Sequence, residues 1–243
     1  RRDVQRSAVV QELNELLPPR EVLNALARVD PFPSITGPLP AVDPPDPQVV
    51  RDPEIRAALP SVVRVLGTAC GLGISGSGWV AGPNIVVTDA HVIAGQTDTT
   101  ADGRPAVAVA FDRRNDIAVL RVRGLNRRPL QHVDASQGTP VAIVGYPNNG
   151  PLTATPGRLG GTATVLSEDA YGNGPVTRKI TSFRGRVRRG NSGGPLLDGD
   201  GRVVGTVFAS RTGTNAGYAV PPDLVRRALA GARGRVSTGP CAS

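Results

Sequence analysis

One serine framed by glycines, in Gly190-Asn191-Ser192-Gly193-Gly194-Pro195, is the stretch of this chain best suited to chemistry. Glycine permits the tight turn that pushes a neighbouring side chain outward, where a Cβ would hinder it. Pro195-Leu196-Leu197 reads as a strand start, Asp198-Gly199-Asp200-Gly201 as a hairpin turn, and Arg202 to Phe208 as the return strand, so Ser192 is expected at the mouth of a β-hairpin. A hydroxyl is a weak nucleophile by itself; a base must take its proton and a third group must hold that base. The chain has two histidines. His91 follows the apolar run Ile85-Val86-Val87 and a small turn, which favours it as the base. His132 sits in a polar connection without glycine framing and reads as a surface or loop residue. Asp89, Asp98, Asp102, Asp112 and Asp116 compete for the third place. Asp116 opens the apolar run Ile117 to Val122, where burial would fix the direction of a carboxylate. Asp89, two residues before His91, reads instead as the cap of the short turn.

Thr88-Asp89-Ala90-His91-Val92-Ile93, Asn115-Asp116-Ile117-Ala118-Val119-Leu120 and the Ser192 stretch occur in the order His, Asp, Ser, and they resemble the three triad blocks of chymotrypsin-fold serine proteases. Subtilisins and α/β-hydrolases build the same constellation in other orders. With the lead-in Ser75-Gly76-Ser77-Gly78-Trp79-Val80, the blocks look most like the bacterial HtrA/trypsin-like branch, over residues 61–220. That resemblance implies a serine endopeptidase working through an acyl-enzyme, with protein or peptide substrates and neither cofactor nor metal. It makes Ser192 the nucleophile, His91 the base and then the acid, and Asp116 the group that orients the imidazole. The backbone N–H groups of Gly190 and Ser192 would form the oxyanion hole. Phe208, Ala209 and Ser210 would pair with an extended substrate, and Arg186 would stand at the base of the primary specificity pocket. Two departures matter. Arginine rather than the aspartate of trypsin at position 186 removes any expectation of cleavage after Lys or Arg. Asn191, where digestive proteases carry an aspartate for a newly cut N-terminus, removes the expectation of activation by that route.

The elements that must position these groups are β-strands. Thirty glycines, 23 prolines and short Val/Ile/Thr runs punctuated by Gly-Pro, Asn-Gly and Asp-Gly signals fit an all-β protein. The resemblance sharpens this to two six-stranded β-barrels of the chymotrypsin fold with the site between them. The expected organisation is a helical and Pro-rich N-terminal extension over 1–60, a first barrel over 61–133 carrying His91 and Asp116, a second over 134–220 carrying Ser192, and a C-terminal helix and tail over 221–243. In the extension, Val4, Val9, Leu13, Leu16 and Leu17 recur at near-helical spacing until Pro18-Pro19, a second short helix spans 20–29, and prolines crowd residues 31–53. It reads as a stalk, or as an arm packed on the barrel. After Pro221 a helix at 223–232 and a tail are expected, without PDZ-type peptide regulation.

The net charge of +8 invites a nucleic-acid partner. Against one, the arginines are scattered in pairs (Arg113-Arg114, Arg127-Arg128, Arg188-Arg189, Arg226-Arg227), and aromatics make up 3%, too few for a stacking surface. No apolar run is long enough to span a bilayer. The chain opens Arg1-Arg2-Asp3, and is expected to be a soluble, monomeric piece of a longer protein, attached to a membrane only through a segment preceding Arg1. Cys70 and Cys241 are the only cysteines and lack metal-like spacing. A disulfide between them is expected, pinning a polar tail that would otherwise fray and stabilising by up to about 5 kcal/mol on the chain-entropy model. It would place the protein in an oxidising compartment; the resemblance points to the bacterial periplasm and a stress or acid response. The competing function is a catalytically silent or chaperone-like protein holding unfolded chains in the same cleft, which would need none of the triad residues.

Overall fold

The computed structural model describes residue 33 and residues 35–240; the helices expected over 4–17 and 20–29, and Cys241, lie outside the described residues. Twelve strands close into two barrels among the described residues. The first has the spatial order β1-β2-β3-β6-β5-β4, from β1 (Val62–Ala69), β2 (Leu72–Gly82), β3 (Ile85–Thr88), β4 (Thr100–Ala101), β5 (Arg104–Asp112) and β6 (Ile117–Val122). The second has the order β10-β11-β12-β9-β8-β7, from β7 (Pro140–Gly145), β8 (Thr153–Ser167), β9 (Val176–Gly185), β10 (Pro195–Leu197), β11 (Val203–Ser210) and β12 (Ala216–Val220). Every strand pairing within the barrels is antiparallel, and closure leaves neither sheet a bare edge.

Alternation along the strands builds the interiors. Val63, Val65, Val86, Leu120 and Val122 fill the first barrel, and Ile143, Leu159, Phe183, Leu196 and Val207 the second. A third apolar cluster bridges them, with Trp79, Val87, Ile117, Val144, Phe208 and Tyr218 meeting between the barrels. Trp79 is fully buried there, and its Nε1–H reaches Thr206 Oγ1 at 3.1 Å, so the indole is satisfied while tying β2 to β11. This seam sets how far apart the groups carried by each barrel stand.

Among the described residues three short α-helices sit outside the barrels. α1 (Pro53–Ala58) is capped by the Asp52 carboxylate, which accepts the Glu54 N–H, and buries Ile55. α2 (Ala90–Ile93) carries His91. α3 (Pro222–Gly231) turns Leu224 and Val225 inward. No helix among the described residues is long and apolar enough to cross a membrane. Beyond α3 the tail is laced along the first barrel: Val236 N–H to Ala108 O at 2.9 Å, Gly95 N–H to Thr238 O at 3.1 Å, Tyr171 Oη–H to Thr238 O at 2.5 Å. Those bonds hold residues 236–238 in place, so fraying is checked there by hydrogen bonding as well as by any cross-link. Cys70 occupies the left-handed turn between β1 and β2 and is disulfide-bonded.

Candidate active site

His91 lies on α2 immediately after β3, and Asp116 at the residue before β6; β3 and β6 are paired neighbours, which brings the two side chains together. Asp116 has a left-handed φ of 56°, a conformation aspartate adopts more readily than most residues that carry a Cβ. One oxygen accepts the His91 backbone N–H at 2.9 Å and the other meets His91 Nδ1 at 2.7 Å. Backbone and ring are thus held by the same carboxylate, and Nε2 faces the other way. Asp116 is fully buried. Burial by itself would raise its pKa; the His91 charge and hydrogen bonds, with Arg178, outweigh that and hold the carboxyl below the usual carboxylate range.

Ser192 arrives from the second barrel on the turn Arg189–Gly194. Gly190 (φ 91°) and Gly193 (φ 78°) both take conformations that side chains rarely adopt. A Cβ at Gly193 would run into Ser77 O and Thr88 Oγ1, so the turn can approach the first barrel only because that residue is glycine. Contact with the His91 segment is direct. Gly193 N–H donates to Asp89 Oδ2 at 2.7 Å and to Val207 O at 2.8 Å, and Ser77 N–H donates to Ser192 O at 2.7 Å. A Cβ placed on Gly76 would lie 2.7 Å from Val92 and 3.2 Å from Ser192 O, putting the neighbours of base and serine on one glycine. Among the described residues Ser192 Oγ is buried with no hydrogen-bond partner, so it makes no hydrogen bond to His91 Nε2 in this arrangement.

Asp89 is not the cap it was expected to be. It stands at the N-cap of α2 but makes no capping bond, and its buried carboxylate holds the N–H that follows Ser192. The remaining acids are occupied elsewhere: Asp98 accepts Thr68 N–H, Asp102 pairs with Arg127, and Asp112 takes Asn115 N–H and Nδ2. His132 packs tilted against Trp79, ring centroids 5.9 Å apart, away from the site. Asn191 Oδ1 accepts Arg188 N–H at 2.9 Å, so this amide closes its own turn, where a carboxylate would call for a cation.

Around the cleft, Phe208 and Ala209 are wholly buried, while the backbone of Ser210 lies open to pairing and is taken by this chain itself. Ser210 N–H donates to Pro33 O at 3.1 Å and Ile35 N–H to Ser210 O at 3.0 Å, the pattern of a parallel strand pair. Arg186 is exposed, so its side chain does not form the closed floor of a pocket. One residue that sequence reasoning passed over stands behind the triad. Arg178 of β9 is buried, with Cζ 4.2 Å from the centre of the Phe208 ring, Nη2 donating to Ser167 Oγ at 3.2 Å and Nη1 3.9 Å from Asp116 Oδ2. Its signal was the alternation of β9, which puts Arg178 on the inward face shared with Ile180 and Ser182.

A serine in a glycine turn, a histidine aligned by a buried aspartate and two closed antiparallel barrels define the class of chymotrypsin-type serine proteases. The chain belongs to the trypsin-like peptidase family, whose domain model matches residues 76–205. Among individual proteins it is similar to serine protease Rv3671c of Mycobacterium tuberculosis, with 36% identity over 99% of this chain and 66% of that protein, so it spans just under two thirds of that relative's length. The crystal structure of the Rv3671c protease in its active form superposes with a TM-score of 0.80 at 37% identity, over 87% of this chain and 98% of that one. The chloroplastic Protease Do-like 1 of Arabidopsis thaliana is 34% identical over 62% of this chain and 37% of its own.

Proposed function

We propose that this chain is a serine endopeptidase in which Ser192, His91 and Asp116 form the catalytic triad. The observation that carries the reading is the pair of bonds from one buried carboxylate to the backbone and ring of His91, with the Ser192 turn fastened to the same segment through Asp89. His91 Nε2 takes the proton of Ser192 as Oγ attacks the substrate carbonyl, Asp116 steadies the imidazolium, and the N–H groups of Gly190 and Ser192 receive the oxyanion. The proton then passes to the leaving amine, and water releases the acyl group by the reverse path.

The finer assignments belong to the same proposal. Protein substrates lie along the Ser210 backbone. Cys70 is bonded to Cys241, the only other cysteine. The enzyme acts as a monomer in the bacterial periplasm, held to the cell membrane by a part of the protein outside this chain, in an envelope or acid-stress role. A fluorophosphonate probe followed by peptide mapping tests the core of the reading. Labelling confined to Ser192, with peptide cleavage abolished in Ser192→Ala, is expected; labelling elsewhere, or cleavage surviving in that variant, overturns it.

A further inference from the structure

Arg64 sits on β1 of the first barrel, and its guanidinium reaches the second. Nη1 donates to Asn149 O and Asn149 Oδ1, each at 2.7 Å, Nη2 donates to Gly150 O at 2.7 Å, and Cζ lies 4.6 Å from the centre of the Tyr146 ring. A planar fork of donors with a flat face suits this combination of three acceptors and one aromatic ring, and a lysine ammonium could not reproduce it. The loop that Arg64 holds departs from ordinary backbone: Asn148 and Asn149 both have left-handed φ, 53° and 56°. Outside help is therefore needed to keep that shape.

The other side of this loop is fastened to the nucleophile turn. Asn148 N–H donates to Arg189 O at 2.7 Å, and a Cβ on Gly190 would collide with the Tyr146 carbonyl. Ser77 of β2 completes the frame: its Oγ accepts Tyr146 N–H at 2.9 Å and donates to Gly190 O at 2.6 Å, while its own N–H holds Ser192 O. A trans peptide is rigid, so its C=O and N–H point in opposite directions. Fixing the Arg189 carbonyl against Asn148 therefore fixes the direction of the Gly190 N–H.

We propose that Arg64 is a positioning residue for the oxyanion hole: by clamping the Tyr146–Gly150 loop to the first barrel, it keeps the Arg189–Gly190 peptide turned so that Gly190 presents its N–H to the tetrahedral intermediate. The proposal rests on the assignment of Ser192 and Gly190 made above. If the clamp is removed, the loop relaxes, the peptide can turn over, and a carbonyl dipole replaces the donor where negative charge develops. Such a loss is felt in the transition state and little in substrate binding.

The test compares the parent, Arg64→Ala and Arg64→Lys for kcat and KM on a peptide amide, affinity for a peptide boronate that mimics the tetrahedral state, and thermal midpoint. For Arg64→Ala, kcat should fall by about 10²-fold, the size of loss found when one oxyanion donor is removed. KM should change little, and boronate affinity should fall in step with kcat/KM. Arg64→Lys should fail in the same direction, and decides the matter alone if the alanine variant does not fold. Parent-like kcat and boronate affinity in the lysine variant overturn the proposal, as does a kcat loss that only follows the loss of thermal midpoint. Running Ser192→Ala alongside separates the two layers. Cleavage that survives there removes the site reading and this inference with it, whereas a dead Ser192→Ala beside fully active Arg64 variants removes the inference alone.

Discussion

At the scale of single residues, the site turns on how charge is arranged around Asp116. Burial by itself favours its neutral form, yet His91 and Arg178 keep it ionised. Arg178 is itself pulled down by burial and supported by Asp116, Asp89, Asp169 and Asp112; a guanidinium remains a cation there. Its Nε and Nη1 have no hydrogen-bond partner among the described residues, so its effect on the triad is mainly one of charge. A cation beside the triad opposes the building of an imidazolium on His91. Arg178→Gln should therefore move the acid limb of cleavage to higher pH, with a several-fold loss at mildly acid pH and a smaller one at alkaline pH. An unmoved profile in a folded variant would mean that Arg178 is packing alone. Asp116→Asn should keep the fold and lose about 10⁴-fold in kcat, because the wrong imidazole tautomer is then favoured. Near-parent rates in that variant would take Asp116 out of the triad.

At the scale of elements, what the sequence reveals follows how local each relation is. The hairpin after Ser192 is legible because Asp198 makes it by short-range bonds, accepting the N–H groups of Asp200 and Arg202 at 3.1 and 2.9 Å. Strand periodicity pointed to β-structure, and the three spaced blocks, through their resemblance to chymotrypsin-fold proteases, pointed to two barrels and a candidate triad. Arg64 and Ser77 act on loops 69 to 113 positions away, and Arg178 acts across the seam between barrels, and no spacing in the chain announces such pairings. Asp89 misled for a related reason: its position matched a cap, but a partner 104 residues on claimed its carboxylate. For the Pro-rich segment after residue 32 the sequence left a stalk and an arm packed on a barrel as alternatives, and did not say which barrel. It runs over the second barrel, with Arg211 donating to Gly37 O, Gln137 to Ala41 O, Arg184 to Val42 O and Arg158 to Pro44 O, and it occupies both backbone groups of Ser210. If an extended substrate pairs with Ser210, this segment competes with it. Deleting residues 1–42 should lower KM several-fold for long peptides and leave the hydrolysis of a small ester, which cannot reach Ser210, unchanged. Equal effects on both substrates would show that Ser210 is not where the substrate backbone pairs.

At the scale of the whole molecule, acid acts on activity and on stability through different groups. Asp116 is held below the usual carboxylate range, and so is Asp169, where burial is outweighed by Arg113 and by the Tyr171 and Asn173 N–H groups. A carboxylate whose folded pKa is depressed contributes stability that is present above its unfolded value, about 3.9, and is lost as pH falls through the folded value. Neither aspartate therefore weakens the fold at mildly acid pH. His132 does. Burial against Trp79, then the Arg226 charge, lowers its pKa against the pull of Asp134. The unfolded chain takes up that proton first, so stability begins to fall as pH drops through the ordinary histidine value of about 6.5 and levels off below the folded value. His91 meanwhile must stay neutral to accept the Ser192 proton, so it sets the acid limb of cleavage. The two histidines thus write two separate curves. His132→Gln should flatten the thermal midpoint between neutral and mildly acid pH while leaving the acid limb of peptide cleavage where it is. Thermal scans and cleavage rates taken on the same samples across that range check this. If the limb moves with the midpoint, acid inactivation is unfolding rather than protonation of the base.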